Sequence, residues 1–368
     1  MSNKLDVLRK SLLLPLFALL SIVSAPALAD EVDALINTIM AERHIPGLQL
    51  AVVRDGKIIK QASYGVSNIQ DQVPVSDKTV FPINSMTKAF TGVALVQLAE
   101  QGHLSLDDPI GKHLPDLPKD WQAMKIKHLM AHTAGLPSIL SGHWVDLIVR
   151  GNPDAAWEKV QTLPLQFEEN TQFRYNQTGY VIIGKILDKY VPNGFPTFIT
   201  NKQLKPLNMS LTADAGFDYL ERPIPNQARQ YFYNGQTGQY RNFYGEFSYM
   251  MRTAAGMSST ATELAHYLIA LQSGKLVNDL DLLWTPVTLK DGKTRGFNDR
   301  ENGYAMGWQV VGRDQHRAIS ASGGDATTMI TYPDDNLSIV VLTNLIGTGL
   351  PTTFVDRIAA LYIDDFEV

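Results

Sequence analysis

Ser85-Met86-Thr87-Lys88 sets a hydroxyl and an amine three residues apart. The strand-like run Thr79-Val80-Phe81 and then Pro82 precede the pair, and the apolar run Phe90 to Leu98 follows it. The spacing predicts the first turn of a helix, where residues three apart share a face. A serine hydroxyl is a poor nucleophile until a neighbouring base removes its proton. A lysine shielded from water has a lowered pKa and can be that base, and a helix N-terminus favours negative charge developing beside it. Read without chemistry, the same four residues are a helix-start serine and a solvated lysine, because so short a motif recurs by chance.

Other chemistries find less support. His128 and His132 have a zinc-compatible spacing, but no Glu follows the first histidine and no third ligand is apparent. Gly-x-Ser-x-Gly is absent, which argues against an α/β-hydrolase. So is a glycine-rich phosphate loop followed by Lys-Ser/Thr. The chain contains no cysteine, which excludes disulfides, thiolate metal sites, a cysteine nucleophile and a lipidated N-terminal cysteine.

The elements that must hold Ser85 and Lys88 come from both halves of the chain. Val32, Leu35, Ile36, Ile39 and Met40 have helical spacing within Asp30 to Arg43. Gly47–Val53 and Lys57–Val66 read as strands joined at Arg54-Asp55-Gly56. The Ser85 helix ends near Gly102, and a proline-rich stretch of helices and loops follows. Thr260-Ala261-Thr262-Glu263 resembles a capping box opening a helix to about Ser273. Ala305–Val311, Arg317–Ser322, Thr327–Tyr332 and Leu337–Asn344 read as strands, and Thr353 to Tyr362 as a final helix. Gln230 to Phe243 reads as a hairpin around Asn234-Gly235, rich in Tyr231, Phe232, Tyr233 and Tyr240. Aromatic cross-strand pairs on a surface hairpin explain it more simply than a cleft wall.

The chain's 368 residues suffice for one large domain or two intimate ones. At 45% hydrophobic and 19% charged, the chain suits a globular protein with a substantial core. Lys4, Arg9 and Lys10, the apolar stretch Leu12 to Val23 and Ala27-Leu28-Ala29 have the form of a signal peptide over residues 1–29. The stretch is short for a bilayer span and contains Pro15. Without Lys4, Arg9, Lys10 and Asp6, 29 basic and 36 acidic residues remain, a net charge of −7. No basic tract is present to hold a phosphate backbone, so nucleic acid is not an expected partner. The expected location is exported, periplasmic or secreted, with no membrane span once the leader is removed.

Several further motifs occur in order: His132-Thr133-Ala134-Gly135-Leu136-Pro137, Phe173-Arg174-Tyr175-Asn176-Gln177-Thr178-Gly179-Tyr180, Ala254-Ala255-Gly256-Met257-Ser258-Ser259 and Ser322-Gly323-Gly324. Tyr332-Pro333-Asp334-Asp335 and Val340-Val341-Leu342-Thr343-Asn344 come last. With Ser85 and Lys88 these resemble the serine β-lactamase-like superfamily, in particular the branch of class C β-lactamases, D-alanyl-D-alanine carboxypeptidases and related esterases and peptidases. The resemblance runs from about His44 to Tyr362.

The resemblance implies an α+β fold of the β-lactamase/transpeptidase type. An antiparallel sheet built from both chain ends would be flanked by terminal helices and carry a mainly helical inserted lobe. The sheet lobe is expected at about residues 30–80 and 300–368, and the helical lobe at about 81–299. The implied chemistry is acyl transfer through an acyl-enzyme, without cofactor or metal, on a small-molecule or peptide substrate. Ser85 matches the nucleophile, Lys88 the adjacent lysine and Tyr175 a proton-transferring tyrosine. The N–H groups of Ser85 and Gly324 match an oxyanion pair.

Two positions depart from the family pattern. Gln177 stands where asparagine is usual and keeps an amide that can reach Lys88 and substrate. Ala321-Ser322-Gly323 stands where Lys-Thr-Gly or His-x-Gly is usual. Ala321 provides no carboxylate anchor. Arg317 is about 13 Å away along the strand, and His316 faces the other side. The expectation is therefore an esterase, a D-amino-acid peptidase or a weak β-lactamase. The alternative is a degenerate penicillin-binding-like protein that holds cell-wall fragments or a protein partner without turnover.

Overall fold

The structure is a computed structural model that describes residues 25–140, 152–217, 223–244, 248–347 and 352–368. The expected signal peptide lies mostly outside the described residues. Ala27-Leu28-Ala29 falls within helix α1 (Ala25–Glu42), which therefore starts before the expected Asp30.

The β-branched runs at both chain ends form one eight-stranded antiparallel sheet. β1 (Gly47–Arg54) turns at Asp55 and Gly56, both with positive φ, into β2 (Lys57–Asn68), and β3 (Val73–Pro74) edges that side. Next in the chain come the short β4 (Phe81–Pro82) and helix α2 (Thr87–Glu100). A separate hairpin follows, β5 (Gln230–Asn234) with β6 (Gln239–Phe243), and then β7 (Ser258–Ser259), which pairs with β4. The sheet resumes with β8 (Gly303–Tyr304), β9 (Gln309–Val311), β10 (Ala318–Gly323), β11 (Thr327–Tyr332) and β12 (Leu337–Thr343). Its order is β3-β2-β1-β12-β11-β10-β9-β8, so the two chain ends meet where Leu48 faces Thr343.

Strand alternation divides the core into two layers. Leu48, Leu50, Val52, Ile339 and Val341 join the layer beneath α1 and the C-terminal helix Thr352–Ala359, where Phe354 and Ile358 pack. Ala51, Val53, Ile319, Ala321, Val340 and Leu342 join the larger layer with α2 and the helices between β4 and β8.

The expected strand Ala305–Val311 is broken. Ala305 N–H bonds the Trp308 carbonyl at 2.8 Å around Gly307, whose φ is +83°. A Cβ on Gly307 would stand 2.2 Å from the Lys88 carbonyl, so contact with α2 imposes the turn. β10 begins at Ala318, leaving Arg317 outside the strand. His316 has positive φ and pairs with Asp335, away from the cleft.

Candidate active site

Ser85 lies in a 3₁₀ turn, Asn84–Met86, that leads into α2. This turn replaces the expected α-helical first turn, yet it keeps Ser85 and Lys88 on one side. The Lys88 ammonium donates to Ser85 Oγ at 3.2 Å and to the Ala254 carbonyl at 2.8 Å. Lys88 is 1% exposed, which overturns the solvated-lysine reading. Burial lowers its pKa, and the neighbouring phenol of Tyr175 opposes that shift without reversing it. Lys88 Nζ also sits 5.0 Å from the ring centres of both Tyr175 and Tyr180.

Three segments far apart in sequence fasten this group. Ile83 N–H bonds the Met257 carbonyl at 2.9 Å, and Thr91 Oγ1 donates to the Thr253 carbonyl at 2.7 Å, so Thr253–Met257 follows α2 and presents Ala254 to Lys88. The loop carrying Tyr175 is held by the turn at His132. Asn176 N–H donates to His132 Nδ1 at 3.1 Å, and the rings of His132 and Tyr175 lie 4.3 Å apart. Asn176 Nδ2 donates to the Leu136 carbonyl, and its Oδ1 accepts from Thr178 N–H, opening the helix Thr178–Tyr190. Burial, with the Lys88 charge adding to it, holds His132 well below the usual histidine range. His132 is therefore a neutral acceptor at Nδ1. Burial likewise keeps the phenols of Tyr180 and Tyr304 protonated, whereas Tyr175 is half-buried and lines the cleft.

The cleft encloses about 490 Å³. Ser85 and Tyr175 open into it, with Ala321, Ser322, Gly323 and Gly324 along one border. β9 pairs with β10 only as far as Ser320, so the edge of Ala321–Gly323 faces the cleft without a strand partner. A Cβ on Gly323 would stand 2.1 Å from the Ile83 carbonyl and 2.8 Å from Ser85 N. Only glycine allows β10 to approach the Ser85 turn this closely. Gly324 has φ +62°, and a Cβ there would stand 2.6 Å from Asn84 Nδ2.

The sequence-predicted residues do not all converge. Ser85, Lys88, Tyr175, Ala321, Ser322, Gly323 and Gly324 meet at the cleft. Gln177 does not line it, and its buried Oε1 has no hydrogen-bond partner among the described residues. Its carbonyl instead starts the helix through Val181 N–H at 3.1 Å. The histidine pair is divided between two tasks, His128 meeting Glu169 at 2.6 Å and His132 holding Asn176. Among the described residues, no group of three or more His, Cys, Asp or Glu could hold a metal. No described helix is long and apolar enough to cross a membrane. Sequence reasoning missed the Ala254 carbonyl, which has no side-chain signature. It also undervalued the hairpin, because Phe232 and Phe243 line the cleft.

An antiparallel sheet with helices on both faces, and a buried Ser-x-x-Lys at its cleft, defines a β-lactamase/transpeptidase-like fold. The chain belongs to the Beta-lactamase family, whose model matches residues 32–361. It is 27% identical over 330 residues to Protein flp of Staphylococcus aureus (strain NCTC 8325 / PS 47), covering 88% of this chain and 64% of that protein's length. Among solved structures it is similar to the octameric penicillin-binding protein homologue from Pyrococcus abyssi, with TM-score 0.78, 23% identity, and coverage of 90% of this chain and 76% of that one. It is also similar to EstCE1, a hydrolase with promiscuous acyltransferase activity, with TM-score 0.76, 20% identity, and coverage of 92% and 99%.

Proposed function

We propose that the protein is an exported serine hydrolase that cleaves an ester or amide through a Ser85 acyl-enzyme. The observation that carries this reading is the Lys88 amine, 1% exposed and 3.2 Å from Ser85 Oγ. Its lowered pKa enlarges the neutral fraction that can accept the serine proton. Ser85 Oγ then attacks the substrate carbonyl. The N–H groups of Ser85 and Gly324 stabilise the resulting oxyanion. Collapse expels the leaving group, which takes its proton through Tyr175 and Lys88. Water enters, gives its proton back through the same pair and releases the acyl group. The hydrolase and acyltransferase chemistry named for EstCE1 supports this reading by likeness of fold. The leader-like residues 1–29 support export.

Ala321 makes efficient turnover of carboxylate-bearing β-lactams or D-Ala-D-Ala peptides unexpected, which favours esterase or peptidase action. The test is fluorophosphonate labelling followed by mass spectrometry. An adduct on Ser85, absent in Ser85→Ala, is expected, together with loss of ester turnover by roughly a thousandfold or more in that variant. An unmodified Ser85, under conditions that label a related enzyme, would sink the proposal. Cell-wall fragment binding by a wild-type protein without any turnover would favour a non-catalytic binder.

A further inference from the structure

The walls of the cleft hold information that Ser85 and Lys88 do not. On one side Phe297 packs 5.2 Å from Tyr175 and 6.0 Å from Tyr304, measured between ring centres. Its turn is braced by Asn298 Oδ1, which accepts from the N–H groups of Arg300 and Glu301, both at 2.9 Å. On the other side Phe232 and Phe243 pack together at 4.9 Å. Strand alternation separates the hairpin's aromatics into two roles. Tyr231 is buried in the sheet body, and Tyr233 stacks on His44 at 3.9 Å, while Phe232 between them turns to the cleft. Tyr231 fixes that orientation, since its N–H donates to the Asn344 carbonyl at 2.9 Å and its carbonyl accepts from Ile346 N–H at 2.8 Å.

Phe297 and Phe232 nevertheless remain 40% and 39% exposed, one on each wall. Large apolar rings held rigidly at the mouth of a cleft of substrate size are the usual means of gripping an apolar group. Charge points the same way. No lysine, arginine or histidine is among the described residues lining the cleft, and the one charged side chain there is the acidic Asp325. A carboxylate entering it would lose water and meet no counter-ion among these lining residues, since Lys88 lies buried behind Ser85.

We infer that the cleft selects substrates that present an aromatic or similarly bulky apolar group to Phe297 and Phe232 and carry no carboxylate beside the scissile carbonyl. The inference rests on the reading of this cleft as a hydrolytic site, and its test separates the two.

Three p-nitrophenyl esters decide the kinetics: acetyl, phenylacetyl, and phenylacetyl bearing an α-carboxylate. The expected kcat/KM for phenylacetyl is roughly tenfold or more above acetyl, and this ratio falls towards one in Phe297→Ala and Phe232→Ala. The α-carboxylate is expected to lower kcat/KM by roughly a hundredfold, and Ala321→Lys narrows that gap. Acetyl and phenylacetyl esters cleaved equally well, or the α-carboxylate accepted without loss, would overturn the inference while leaving the hydrolase intact. Binding of phenylacetamide and its α-carboxylate analogue to Ser85→Ala, followed by calorimetry, does not depend on turnover. The neutral ligand is expected to bind roughly tenfold or more tightly. Equal affinities, or a preference for the acid, would overturn the inference whatever Ser85 does.

Discussion

Lys88 is a cation-forming group with nowhere to keep a charge cheaply. Its surroundings are the rings of Tyr175 and Tyr180, the Ser85 hydroxyl and a single carbonyl from Ala254. Burial lowers its pKa, so in the proposed mechanism kcat/KM rises with pH along an acid limb whose midpoint lies below the free-lysine value of about 10.4. The same shift ties stability to pH. Below the lowered pKa, folded and unfolded chains both bind the proton, and the folded state bears the full penalty of a buried charge. Between the lowered value and the unfolded one, only the unfolded chain is protonated, so the penalty fades as pH rises. The stability of the wild-type protein relative to Lys88→Met should therefore improve as pH rises towards the free-lysine value, as read from urea midpoints. A difference independent of pH would show that the amine is not desolvated. At this scale Ser85 and Lys88 were legible, because a three-residue spacing survives even when the first turn is 3₁₀. Tyr175 was legible only through family likeness, since it stands 90 positions from Ser85 in the chain. The Ala254 carbonyl could not be read at all, because every residue has one.

Among the elements, contacts through glycine set the site. β10 meets the Ser85 turn through Gly323, and α2 meets the β8–β9 turn through Gly92 and Gly307; a Cβ on Gly92 would stand 1.8 Å from the Met306 carbonyl. Each contact is against backbone, which cannot rotate aside. Gly323→Ala should cost about 1–3 kcal/mol in stability and roughly a hundredfold in kcat by displacing the Ser85 turn from Gly324. A fully active Gly323→Ala enzyme would show that the strand can yield. The helix opening at Thr260 was half legible. Thr260 Oγ1 accepts from Glu263 N–H at 3.2 Å as the capping box requires, but the Glu263 carboxylate instead accepts from the N–H groups of Leu211 and Thr212. A local motif announced the helix start. A tertiary contact took the second half of the box, and no local pattern reports such a contact. The break in the expected strand Ala305–Val311 has the same origin, because its cause is α2, two hundred residues away in the chain.

Across the whole molecule, the joining of the chain ends in one antiparallel sheet was legible from the strands read at both termini. What patterning could not give was the fastening. Asn344, fully buried, accepts from Gly47 N–H at 2.8 Å and donates Nδ2 to the Val66 carbonyl at 3.0 Å, tying the last strand to the first two. Asn344→Leu leaves both backbone groups unpaired and should cost about 2–4 kcal/mol, measured as a lower urea midpoint. An unchanged midpoint would mean that the backbone ladder alone holds the seam. That seam also governs how the molecule comes into being. Its central pairing joins residues 295 positions apart, Leu48 with Thr343, and contacts between such distant partners form slowly because so long a loop must first be closed. Until β12 has been made the sheet has no middle, so β1 keeps one open edge while everything between the two strands is synthesised.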